Sequence, residues 1–193
     1  MAESRFRERA AAADGFSLVE VLVATVLLAT AILTVAQLFG IAIRSNMSAR
    51  STTSTTLLAQ QKLEQLRGLT WGFDSAGLPI SDTTTDTALA VQAAAGGTGL
   101  APSPSTALQQ NTAGYVDYLD KYGNSLGGGA TTPGDAAYIR RWSVEPLPAN
   151  PNDTLIIQVL VTPHRNRGSA DQGAVARMPD EARLVTVRTR KTK

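Results

Sequence analysis

Apolar positions are distributed unevenly along the chain, and the unevenness divides it. From Val21 to Ile43 nearly every residue is Leu, Val, Ile, Ala, Phe or Thr, and between Phe16 and Ile43 there is one charge, Glu20. Roughly 23 residues rising about 1.5 Å each are long enough to cross a hydrocarbon core of about 30 Å. A secretory signal would carry a shorter apolar core, about 7–15 residues, with an A-x-A-like site after it. No such site follows Ile43, so the pattern predicts a span that is retained. Ahead of it, Met1 to Gly15 is short, polar and Ala-rich, with Arg5, Arg7 and Arg9 set against Glu3, Glu8 and Asp14. Basic residues before the span favour a cytoplasmic N-terminus, a vote that Arg44 and Arg50 on the far side weaken.

Past Ile43 the helical spacing continues. Ala59, Leu63 and Leu66 recur on a stripe with Gln60, Lys62, Glu64 and Arg67 between them, and Gly68 supplies a C-terminal stop. An unbroken helix from Ser17 to Arg67 would be a rod of roughly 75 Å, far more than a bilayer needs, so its outer half must pack on something else. Its weak stretch is Ser48 to Thr56, where Ser and Thr compete for backbone hydrogen bonds; a kink or frayed turn would fall there.

From Thr70 to about Asn111 the residues are mainly Thr, Ala, Gly, Ser and Pro, which reads as a long irregular loop with any secondary structure short. GYVDYLDKYGN reads as a short strand and a turn at Lys121 to Asn124, and GGGATTPGD as another loop. Three clearer strands follow. Tyr138 to Glu145 sets Tyr138, Trp142 and Val144 on one face, interrupted by Arg140. Thr154 to Thr162 sets Leu155, Ile157, Val159 and Val161 on one face, with Ile156, Gln158 and Leu160 on a mixed one. Arg183 to Lys191 sets Val185 and Val187 opposite Thr186, Arg188 and Arg190. This period-two alternation suits a half-buried antiparallel sheet, with Pro146, Pro148 and Pro151 breaking the first connection and Pro163 to Pro179 forming the second. Strands in succession without intervening helices favour an α+β fold: a long N-terminal helix packed on a small antiparallel sheet. The organisation expected is a leader at 1–15, a membrane helix at 16–44, the outer half of the helix at 45–69 and a globular head at 70–193.

Composition narrows the chemistry. With 193 residues and a net charge of +2, the chain has room for one modest core and too little charge to imply a polyanion partner. It has no cysteine and one histidine, His164, which removes disulfides, thiolate metal sites and multi-histidine sites together. No nucleophile–base pair, G-x-S-x-G elbow or phosphate loop stands out, so a non-enzymatic role without a cofactor is expected.

Gly15-Phe16-Ser17-Leu18-Val19-Glu20, followed by an apolar helix, resembles the type IV pilin and pseudopilin superfamily. The resemblance implies cleavage by prepilin peptidase between Gly15 and Phe16, and methylation of the new terminus at Phe16. It also implies an assembly role for Glu20, whose carboxylate would pair with the free amine of a neighbouring subunit's first residue. A carboxylate in an apolar span is costly unless paired, which makes Glu20 a functional candidate on physical grounds too; the plainer reading is that it snorkels to the inner interface. LLAQQKLEQLR, YIRRWSV and the terminal RLVTVRTRK look like the PilV-type minor pilins and the related minor pseudopilin of type II secretion. Major pilins commonly carry paired cysteines and a proline midway along the span. Here both are missing, leaving Gly40 as the weak point of the span, and a minor subunit is implied. Retention of Glu20 argues against the extreme tip pseudopilin. The partners implied are other major and minor pilins along the N-terminal helix, the prepilin peptidase, an inner-membrane assembly platform, and membrane lipid before assembly.

Other constellations are weaker. Eight Lys or Arg lie between His164 and Lys193, and Arg188 and Arg190 are the natural candidates for a DNA-uptake role; solvated strand faces and edge protection explain them as well. Asp117, Asp120 and Asn124 offer oxygens to calcium without EF-hand spacing, and such residues near a glycine are ordinary turn formers. His164 reads as a surface loop residue, and Trp142 as core between sheet and helix.

Overall fold

A computed structural model describes residues 15–82, 99–164 and 180–190. Most of the leader, the centre of the long loop and the basic residues Arg165, Arg167 and Arg177 lie outside the described residues. The fold is α+β. One helix, α1 (Leu18–Gly68), precedes seven strands: β1 (Trp71–Phe73), β2 (Pro79–Ser81), β3 (Val116–Leu119), β4 (Ser125–Gly128), β5 (Tyr138–Leu147), β6 (Asn150–Pro163) and β7 (Ala182–Thr189). β1 and β2 form a hairpin; the others form an antiparallel sheet in the order β4-β3-β5-β6-β7. Two compact units divide the chain at Ser45/Asn46.

α1 runs without interruption through Ser48–Thr56. The hydroxyls that compete with helix elsewhere are absorbed by it here. Thr52, Thr53 and Thr56 donate to the carbonyls of Ser48, Ala49 and Thr52, at 3.0, 2.9 and 2.8 Å, a back-bonding arrangement that a helix interior tolerates. Thr55 does the same and also donates to the Asp180 carbonyl at 3.1 Å, which ties this turn to the start of β7.

The packed stripe of the outer half is Thr55, Leu58, Ala59, Lys62 and Leu66, with Leu63 only partly buried at its border. Lys62 thus stands within the stripe and not between its members, because the i, i+3, i+4 ladder from Thr55 passes through it. Against this stripe lie Trp142 and Val144 of β5 and Leu155, Ile157, Val159 and Val161 of β6, together with Leu119 and Tyr115. A smaller cluster of Val116, Tyr118, Ala136 and Ile139 closes the other face of β3 and β5.

Two expectations are corrected in the last strands. Val185 and Val187 are 56% and 61% exposed, while Leu184, Thr186 and Arg188 alternate with them on the sheltered side. The register places Val185 beside Gln158 and Val187 beside Ile156, and those residues occupy the outer face of β6, so the valines follow them outward. Pro146 and Pro151 do not end the strands either. Pro146 lies in β5 opposite Leu155 and Pro151 lies in β6, beside a register irregularity after Pro146; bulged strand ends are where proline is tolerated. The turn itself is Pro148-Ala149.

The interior holds charge. Asp117 and Arg140 are direct cross-strand partners, joined by two charge-assisted bonds of 2.8 Å, and Lys62 reaches the same carboxylate at 3.1 Å. All three residues are no more than 3% exposed. Arg140 also donates to the Leu58 carbonyl of the helix at 3.1 Å, and the Lys62 ammonium lies 3.8 Å from the centre of the Trp142 ring. Burial alone would raise the Asp117 carboxyl. The Lys62 charge and the hydrogen bonds and charge of Arg140 outweigh it and hold the group below the usual carboxylate range.

Asp117→Asn is expected to destabilise the full chain in mild detergent by about 3–5 kcal/mol, because it leaves buried cations without a counter-charge. A carboxyl depressed in the folded state contributes fully above its unfolded value of about 3.9, and that contribution is lost as pH falls through the folded value. The difference in urea midpoint between the natural chain and Asp117→Asn should therefore hold constant near neutrality and shrink below about pH 4. A difference as large at about pH 2.5 as at neutrality would contradict this account.

Candidate functional site

The junction from Gly15 to Ser17 has no regular secondary structure, and helix begins at Leu18. Apart from its neighbours in the chain, no described atom lies within 4 Å of where a Gly15 side chain would begin. Phe16 is 82% exposed. The Ser17 carbonyl accepts the first helical bond, from the Val21 amide at 3.1 Å. Glu20 is exposed in the first turn, where a carboxylate interacts favourably with the free amides and positive end of the helix dipole. It shares an open face with Phe16, Val21, Ala24, Thr25 and Leu28.

Beyond this turn the helix is long and apolar enough to cross a membrane, and none of its most apolar stretch is buried. Leu22, Val26, Leu33 and Phe39 are examples of large side chains at least half exposed. An aqueous surface cannot present such an area without association. The polar groups within the stretch are partly neutralised by the helix itself. Thr25, Thr30 and Thr34 donate to the carbonyls of Leu22, Leu27 and Thr30 at 2.9, 2.8 and 2.8 Å, which is how hydroxyls are accommodated where no water competes. Gly40 lies inside the helix without breaking it.

The remaining candidates are used by the fold. Asp117 is held in the buried ion cluster. Asp120 shapes the β3–β4 turn: one oxygen accepts the Tyr122 and Asn124 amides at 2.8 Å each, and the other accepts the Asn124 side chain at 2.9 Å. The Asn124 side chain and these backbone bonds hold its carboxyl below the usual range. Gly123 completes this turn at φ +85°, and a side chain there would begin 3.3 Å from Leu58. Asp117, Asp120 and Asn124 are therefore not gathered around a common point, and no cluster of three metal-ligating His, Cys, Asp or Glu occurs among the described residues. His164 is half-buried at the end of β6, its amide bonded to the Ala137 carbonyl at 2.7 Å. Trp142 is core, as its alternation with Val144 indicates.

Arg188 and Arg190 are not a solvated face. Arg188 donates to the carbonyls of Leu66 and Leu69, capping the end of α1. Arg190 lies 3.6 Å over the Trp71 ring and donates to the carbonyls of Gly72, Ile80 and Asn152 at 2.9, 2.8 and 2.8 Å. It fastens the β1–β2 hairpin to the start of β6. The sequence signalled the opposite: standing opposite Val185 and Val187 on an alternating strand, both arginines read as the solvated side. No family model, curated protein or solved structure matches the chain.

Arg190→Ala removes a cation–π contact and three charge-assisted bonds, and should lower stability by about 2–4 kcal/mol. Val187→Lys, next to Arg188 in the chain but facing outward, should change it by less than about 0.5 kcal/mol. Chemical denaturation of both variants checks the pair; a neutral Arg190→Ala would return that residue to the candidates for an external partner.

Proposed function

We propose that the chain is a minor pilin subunit, without enzymatic activity, that is processed at Gly15–Phe16 and incorporated into a type IV pilus or its priming complex. The observation that carries this reading is an uncovered apolar stretch of helix headed by an exposed Phe16, with a lone carboxylate one turn inside. Each part has a place in the scheme. The span lies in the inner membrane with the leader in the cytoplasm and the head outside. Prepilin peptidase cuts after Gly15, frees the Phe16 amine, and methylation follows. Glu20 then offers the counter-charge for a neighbour's amine, so that cleavage and assembly are linked through one ion pair. Packing against other subunits' spans replaces lipid as the assembly platform draws the subunit out, and the head, built around the outer half of α1, selects its neighbours.

A minor pseudopilin of type II secretion uses the same parts. The uncovered helix and Glu20 serve either machine, and deletion separates them: loss of surface pili supports the first, loss of secretion with pili retained supports the second. DNA uptake is disfavoured because Arg188 and Arg190 are spent on backbone carbonyls.

Mass spectrometry of the protein from cells with and without the peptidase should find a chain beginning at methylated Phe16 only when the peptidase is present. An intact Met1 in peptidase-containing cells would sink the proposal. Glu20→Ala should be cleaved normally yet be strongly depleted from sheared filaments, and its normal incorporation would reject the assembly role.

A further inference from the structure

The two edges of the head's sheet are built differently. β4, at one edge, has four residues. Gly127 and Gly129, at φ +93° and +137°, bend its line, and its pairing with β3 shifts register. Short, irregular edges of this kind keep a sheet from pairing with another chain. β7, at the other edge, has none of these devices. It pairs with β6 over eight residues without a register shift, and it contains no proline, glycine or lysine. Arg188 and Arg190 are turned onto the chain's own carbonyls and do not guard this edge.

One bond fixes which way the backbone groups of β7 point. The Arg190 amide donates to the Asp153 carbonyl at 2.7 Å, and in antiparallel pairing bonded and non-bonded residues alternate. With the register unbroken, Leu184, Thr186 and Arg188 therefore spend their amides and carbonyls on β6. Arg183, Val185, Val187 and Thr189 turn theirs to the free edge, where no described strand lies. The side chains of the same four residues are exposed on the outer face. A row of unpaired amides and carbonyls at strand spacing recognises one kind of ligand, an extended polypeptide.

We infer that the β7 edge takes up an extended segment of another subunit as an added antiparallel strand. Read along that segment, its outer-face side chains meet Val187, then Val185, then Arg183. The fitting pattern is apolar, any, apolar, any, acidic, with the acid set against the exposed guanidinium of Arg183. A second copy's β7 does not fit. α1 and β7 run in the same sense, since Thr55 meets Asp180 ahead of the strand and Leu66 and Leu69 meet Arg188 near its end. Antiparallel pairing of two β7 strands would reverse the helix of one copy, whereas helices rising from one membrane share a direction. The inference rests on the filament reading of the chain.

Proline tests the backbone directly, because at position 187 it removes an amide that faces away from β6. In the isolated full chain in mild detergent, the Val185 and Val187 amides should exchange hydrogen fast and those of Leu184 and Thr186 slowly. Slow exchange at 185 and 187 overturns the free edge. Val187→Pro should keep the urea midpoint of the natural chain, yet fall about tenfold in sheared filaments. Val187→Ala, which keeps the amide, should fall less than about threefold, and Arg183→Glu should be depleted. Val187→Pro incorporated at the natural level, or no worse than Val187→Ala, overturns the added strand. Unchanged incorporation of Arg183→Glu overturns the acid assigned to the segment. The chain has no cysteine, so a disulfide-linked dimer of Val185→Cys copies would overturn the choice of occupant. A natural chain missing from filaments sinks the filament reading; a natural chain present beside equally abundant Val187→Pro sinks this inference alone.

Discussion

The head is organised around a carboxylate that cannot be moved. Asp117 sits opposite Arg140 in the β3–β5 pairing and beneath Lys62 of the helix, so one buried group joins three elements. A one-residue slip of β3 along β5 would separate the pair and turn Asp117 toward the opposite face, where Val116, Tyr118 and Ile139 pack. Rotation of the outer helix would strand Lys62 in an apolar stripe. Hydrophobic burial supplies most of the cohesion, but it would tolerate several arrangements of Leu, Val and Ile. The ion cluster makes the wrong ones costly, since an unpaired buried charge is penalised far more than a badly packed methyl group.

Around that centre, cations on the last strand perform structural work by meeting backbone oxygen. The end of a helix leaves several carbonyls without partners, and Arg188 satisfies those of Leu66 and Leu69. Arg190 does the same for the hairpin and the start of β6 while covering Trp71. The short β1–β2 hairpin could not persist alone. Its turn is set by Asp74, which accepts the Ala76 and Leu78 amides, and by Gly77 at φ +80°; its position is set by Arg190.

Much of this architecture was legible because it rests on periodicity. The helix to Gly68, the α+β class, the inner face of β6 and the core position of Trp142 all follow from spacing of apolar residues. What could not be read was the pairing of exceptions. Lys62, Asp117 and Arg140 each interrupt an apolar pattern, and each alone reads as an edge residue or a turn residue. Only their opposite signs, brought together across 55 and 23 residues of sequence, explain them. The outward Val185 and Val187 misled for a related reason. The apolar member of an alternating strand is ordinarily the buried one, but here the register with β6 decides, and the arginines on the inner side have helix and hairpin carbonyls to satisfy. At the junction the sequence spoke more directly, since Gly15, Phe16 and Glu20 are local features that need no tertiary partner within the chain.

The capping of α1 by Arg188 joins residues 122 positions apart, and this separation imposes an order on biosynthesis. The apolar segment emerges from the ribosome before β7, which closes the sheet and seals the helix end. Contacts of such long range close slowly, and domains complete themselves only once their last strand is available. The head is therefore held open for an interval after the apolar helix has emerged. Emergence of the apolar helix and closure of the head are separated in time by the layout of the chain itself.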